Sequence, residues 1–211
     1  MARFKKSIPD GLSGKIGPVV TYVRDGVQVV RSLPKRNDPK TEKQLAHRMK
    51  FKLVSQGLSP LNNAIKQGYQ NKKDAYRTLF SKVYHEAIAG EYPHFRLDYG
   101  KIHIAEGRLL LPPNIRAEKG AGEQTVLFRW DSQTVKASDW SRDNDRVRIV
   151  YLNESLAEAH QSSGAASRVD GTVSLHLPDG WRPEDTLFWI YFYSADQRHH
   201  SDSLFVEVTP E

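Results

Sequence analysis

The 211-residue sequence contains no cysteine. No disulfide, thiolate nucleophile or cysteine-held metal can therefore form. Long apolar runs are missing too: none approaches the roughly 18–20 residues that a membrane helix needs. The N-terminal MARFKKSIPDGLSG is charged with no apolar stretch behind it, so it does not read as a secretory signal. We expect no membrane span, and a protein that stays in the cytoplasm of its producer or on a virion or other particle. Acidic residues are scarce in the first part. Residues 1–90 carry 18 Lys/Arg against 6 Asp/Glu, a net +12, and residues 91–211 carry 13 against 19, a net −6. Such asymmetry points to two functional surfaces. The basic part suits an anionic partner, nucleic acid included, or the acidic part of the same chain or of another copy. No nucleophile elbow, Walker loop, H-E-x-x-H or dinucleotide fingerprint occurs. We name no catalytic residue, no cofactor and no metal site, and expect a protein that is not an enzyme.

What is present suffices for a packed core: eight Phe, nine Tyr and four Trp. The chain is organised around Ser13–Leu53. Ile16–Val23 and Val27–Val30 flank Asp25-Gly26, the strongest short hairpin signal, because a type I′ turn needs positive φ at both central residues. Val19, Thr21 and Val23 fall on one face, and Val20, Tyr22 and Arg24 on the other. A two-stranded ribbon is marginal alone and must lie on something. We therefore read Val19, Tyr22, Val23, Asp25, Gly26, Val27 and Val29 as a docking hairpin that lends its strands to a partner.

Pro34 and Pro39 hold the following connector extended. Lys35, Arg36 and Lys40 cluster there, with Lys15, Arg24 and Arg31 before them. This set reads as a phosphate-contacting arm, or more plainly as a solvated linker. Aromatic residues are not interleaved with it, so base stacking has no support.

Three helices follow. Thr41 to Gln44 forms a capping box, and the first helix runs to about Gln56, with Gly57 as its stop. Ser59-Pro60 starts the second. In the third, Tyr76, Leu79, Phe80, Val83, Tyr84, Ala87 and Ile88 recur at i, i+3, i+4, the pattern of one buried face. That helix offers only Arg77, Lys82 and His85 toward base edges, so its stripe reads as core and not as a DNA-recognition face.

SGKIG, Val19-Val20 with Tyr22, VVRSLPK, and Asp38-Pro-x-Thr-x-x-Gln44 with Arg48 and Phe51 together resemble an uncharacterised bacterial family of about this length. The resemblance runs over nearly the whole chain and implies no activity, cofactor or site. A similar Asn-Pro-x-Thr-x-x-Gln-x-x-x-Arg-x-x-Phe stretch stands in hypothetical proteins encoded near phage structural genes. Asp38 replaces its Asn here. That likeness implies a virion or assembly role.

Past Gly90 the period drops to 2. We expect strands at Lys101–Ile104 and Arg108–Leu111 (a hairpin about Glu106-Gly107), Thr125–Trp130, Arg146–Leu152, Thr172–Leu177, Leu187–Tyr193 and Ser203–Val208. The connection at 154–168 reads as a mobile contact loop or a short helical excursion over Leu156–His160. Trp130, Tyr151 and Pro178 resemble the markers of a fibronectin type III or other immunoglobulin-like module. Asp139, Asp143 and Asp145 match a calcium loop only in part. His199 and His200 are adjacent and on a strand would point apart.

The fold expected is thus α+β: an N-terminal β-hairpin plus three-helix segment, then an antiparallel immunoglobulin-like β-sandwich. Its parts are a basic arm, hairpin and connector at 1–40, a helical segment at 41–90, and the sandwich at 91–211. The function expected is a structural or interaction protein that joins copies of itself or a larger particle. Its rivals are nucleic-acid binding by the basic half and carbohydrate binding with Trp140 or Trp181 as a platform.

Overall fold

A computed structural model describes residues 2–4, 13–35, 38, 40–70, 72–132, 140–162, 164 and 166–209. Two compact units make up the chain, Met1–Thr41 and Glu42–Glu211.

The first unit is an antiparallel sheet of β1 (Ala2–Phe4), β2 (Gly14–Ile16), β3 (Val19–Arg24) and β4 (Val27–Ser32) in the order β1-β4-β3-β2. Asp25 and Gly26 have φ of 52° and 73°, the backbone that a type I′ turn requires. The ribbon is therefore not two-stranded. It gains β1 on one side and β2 on the other. The strand expected from Ile16 begins at Val19, because Gly17 adopts φ 54° and Pro18 has no N–H for the ladder.

In the second unit, α1 (Glu42–Leu58), α2 (Asn62–Gly68) and α3 (Ala75–Glu86) come first. Gly57 does not stop α1. The α2 helix opens two residues late because Ser59–Leu61 form a turn, with Leu61 N–H donating to the Leu58 carbonyl. A small antiparallel pair, β5 (Ile88–Ala89) and β6 (Arg96–Leu97), follows. Next come β7 (Arg116–Lys119), β8 (Thr125–Arg129), β9 (Arg146–Asn153), β10 (Glu158–Gln161), β11 (Thr172–His176), β12 (Thr186–Tyr193), β13 (Leu204–Val206) and β14 (Val208–Thr209). They form two sheets, β10-β9-β12-β13 and β11-β8-β7-β14. From β7 on, the first, second, fifth and eighth strands share one sheet, and the third, fourth, sixth and seventh the other, with β14 pairing in parallel with β7. Helices followed by two sheets make the chain α+β.

The two inner faces bury Val126, Phe128, Ile149, Phe188, Ile190 and Phe192. The outer face of the β9–β12 sheet is also covered. Val150, Leu152, Trp189 and Tyr191 pack with Val54, Leu58, Leu61, Ile65, Leu79 and Val83 of the helical segment. Leu187–Tyr193 is apolar on both faces because both are buried. Residue 90 therefore does not separate two bodies: helices and sandwich share a core, and the Arg148 guanidinium of β9 ties them by donating to the Gln67 side-chain oxygen of α2 at 2.6 Å.

Two expected elements are replaced. Residues 101–111 make no hairpin: a 3-10 turn at Tyr99–Lys101 leads into extended backbone that bridges Ser201 at Leu109. The helical excursion is instead a turn, with Ala157 at φ 52°, leading into β10 on β9. Among the described residues, no helix is long and apolar enough to cross a membrane.

Candidate functional site

Register decides which residues of the first unit share a face, since cross-strand partners project together. Lys15, Val20 and Arg31 make one row across β2, β3 and β4. Tyr22 pairs with Val29, and Arg24 with Val27. One face therefore carries Lys15, Arg24 and Arg31 beside Tyr22, Val27 and Val29, whereas Val19 and Val23 lie on the other. The Arg31 guanidinium sits 5.7 Å from the Tyr22 ring centre. Arg24 is 3.7 Å from Asp25, an exposed pair that binds weakly. Lys35 and Lys40 are exposed on the connector, and Arg36 lies outside the described residues.

Within the hairpin, Val29 is buried, while Val23 is 51 % exposed and Val27 is exposed beside the turn. The short strand β2 pairs only with Val19–Thr21. Among the described residues, the Tyr22–Arg24 edge of β3 has no further strand beside it.

The second unit carries a groove that the periodic stripe of α3 did not reveal. Leu79, Val83 and Ala87 are fully buried, as a core stripe requires, but Tyr76, Phe80 and Tyr84 are only half-buried. They face α1 across an open groove of about 660 Å³. Phe51, 54 % exposed, meets Phe80 at 4.8 Å between ring centres. His47 Nδ1 and the Tyr84 hydroxyl are hydrogen-bonded at 2.6 Å. Arg77 and His85 stand along the groove, and among the described residues no carboxylate lines it. The sequence signal was Phe51, four residues from His47 and Ser55 and outside the buried stripe of Val54 and Leu58.

The acidic loop near Trp140 is built as a structural clip. Asp145 is buried against Arg168, with Oδ2 3.3 Å from Nη2, and it accepts the Arg142 backbone N–H at 2.9 Å. Arg168 also donates to the Leu110 carbonyl at 2.7 Å. Burial raises the Asp145 carboxyl above its ordinary range and lowers Arg168, and their mutual attraction opposes both shifts. A carboxylate so engaged is a poor calcium ligand. Asp139 lies outside the described residues.

The two adjacent histidines point apart. His199 packs edge-on to Trp140 at 5.0 Å, whereas His200 is buried and its Nδ1–H donates to the Gly68 carbonyl at 3.0 Å. Burial lowers the His200 imidazole, helped by Arg148 and His199 and opposed by the Gly68 bond. Trp181 is 3 % exposed and cannot serve as a sugar platform. Trp140 is exposed, with Arg108 at 5.8 Å from its ring.

A comparison with curated proteins finds no match. Residues 11–207 match the model of a family of unknown function (DUF6266), nearly the whole of the 211-residue chain, and the protein belongs to that family.

Proposed function

We propose that this protein is a non-enzymatic structural or interaction protein that assembles with copies of itself, or into a larger particle, through its N-terminal sheet. The observation that carries the reading is the Tyr22–Arg24 edge of β3, which has no further strand beside it among the described residues, next to exposed Val23 and Val27. Strand edges with apolar side chains are templates for another chain. The type I′ turn holds this edge in a fixed shape, so a partner meets a preorganised surface. The compartment that fits is the cytoplasm or an assembled particle such as a virion.

A second reading has its own support. Lys15, Arg24 and Arg31 share a face with Tyr22, which suits a polyanion such as nucleic acid.

Light scattering on the full chain separates the two. Self-assembly through the sheet predicts a mass above the 24.0 kDa of one chain, lowered in Val23→Glu/Val27→Glu at the same concentration. A protein that stays at one chain's mass, and instead retards DNA with an affinity falling steeply with salt, would replace the first reading with the second.

A further inference from the structure

The α1–α3 groove has an aromatic floor of Phe51, Tyr76, Phe80 and Tyr84, with Arg77, His47 and His85 along it and, among the described residues, no carboxylate. Its chemical complement lies elsewhere in the same unit. The turn joining β9 to β10 ends in Leu156, 56 % exposed, with exposed Glu154 and Glu158 on either side. We propose that the Glu154–Glu158 turn of one copy docks in the α1–α3 groove of a second copy, Leu156 on the aromatic floor and the glutamates toward Arg77 and the groove histidines. This rests on the reading of the protein as one that assembles with itself, and adds a second surface to it.

Charge selects this occupant over a groove-to-groove pair. Two facing grooves would bring Arg77 of both copies together, and like charges in a desolvated contact are strongly disfavoured. The turn supplies one apolar tip and two acids, which answer both the floor and the rim. A groove of about 660 Å³ admits the turn's backbone as well as the leucine.

Placement also fixes the kind of assembly. Phe51 and Ser55 lie on one flank of α1. Leu53 and Gly57, each two residues further on, lie about 200° round the helix. The turn is held at that second flank, where Glu154 and Ala157 share a hollow with Leu53, Gly57 and Pro60. There the Tyr99 hydroxyl donates to Glu154 at 3.3 Å. Knob and groove thus face opposite sides of α1. Two copies cannot exchange both contacts about a two-fold axis, so the contact is head-to-tail and builds chains or rings.

The test uses the full chain in the Val23→Glu/Val27→Glu background, which removes the sheet contact. Sedimentation velocity follows it from about 10 µM to about 1 mM at low salt. The background protein should grow with concentration past about twice the single-chain mass. Adding Leu156→Glu, or Phe51→Glu, should hold it at one chain. Mixing those two variants should restore pairing but stop at two chains, because one knob and one groove remain. Far-UV circular dichroism checks each fold, and Phe51→Ser replaces Phe51→Glu if the latter unfolds. A background protein that stays at one chain, a Leu156→Glu variant that still grows, or a mixture that never pairs would each overturn the docking. None of these touches the sheet contact, which is read from wild type against background.

Discussion

A β-carbon at position 107 would sit 1.9 Å from the His200 carbonyl oxygen. Gly107 therefore serves a close backbone approach: the same carbonyl accepts the Leu109 N–H at 3.0 Å, and the Gly107 N–H donates to Asp202 at 3.1 Å. Gly107→Ala must push these segments apart, at a cost of about 1–3 kcal/mol, read as a lower urea midpoint. An unchanged midpoint would show that the segments separate freely. His200 makes a pH prediction. Its folded imidazole titrates below the ordinary value of about 6.5. The unfolded chain therefore takes a proton first as pH falls. Stability from this residue is intact above about pH 6.5 and is lost progressively below it, down to the folded value. His200→Asn keeps a donor toward the Gly68 carbonyl without the titration. Wild type should lose more stability than this variant between about pH 7.5 and 5; equal losses would remove His200 as the cause.

At the level of elements, what could be read from the sequence was what local chemistry dictates. Asp25-Gly26 specifies its own backbone, so the hairpin was legible from two residues. The α3 stripe was legible as well, because Leu79 and Val83 recur at helical spacing over one buried face. The groove was not, since its floor joins Phe51 of α1 to Phe80 of α3, and a stripe says nothing of how far a neighbouring helix covers it. Glu106-Gly107 misled for a related reason: a glycine needed for close approach carries the same letter as one needed for a turn. Glu158–Gln161 is too short for its period to distinguish strand from helix, and its pairing with β9 decides the matter. The small edge strands β1 and β2 were beyond reach because three residues give no pattern.

In the second unit, the β9–β12 sheet is apolar on both faces and joins the helices to the sandwich, with one core on each of its faces. The split between basic residues 1–90 and acidic residues 91–211 is therefore not a split between separate domains. In the assembly proposed above, the split becomes a division of surfaces: an exposed strand edge and an aromatic groove with Arg77 early in the chain, an acidic turn late in it. Amide hydrogen exchange at Tyr22–Arg24, compared at two protein concentrations about a hundredfold apart, reads this most directly. Assembly through the sheet predicts slower exchange along that edge at the higher concentration, as a second chain covers it. Equal rates at both concentrations, while the mass of the particle rises, would contradict it.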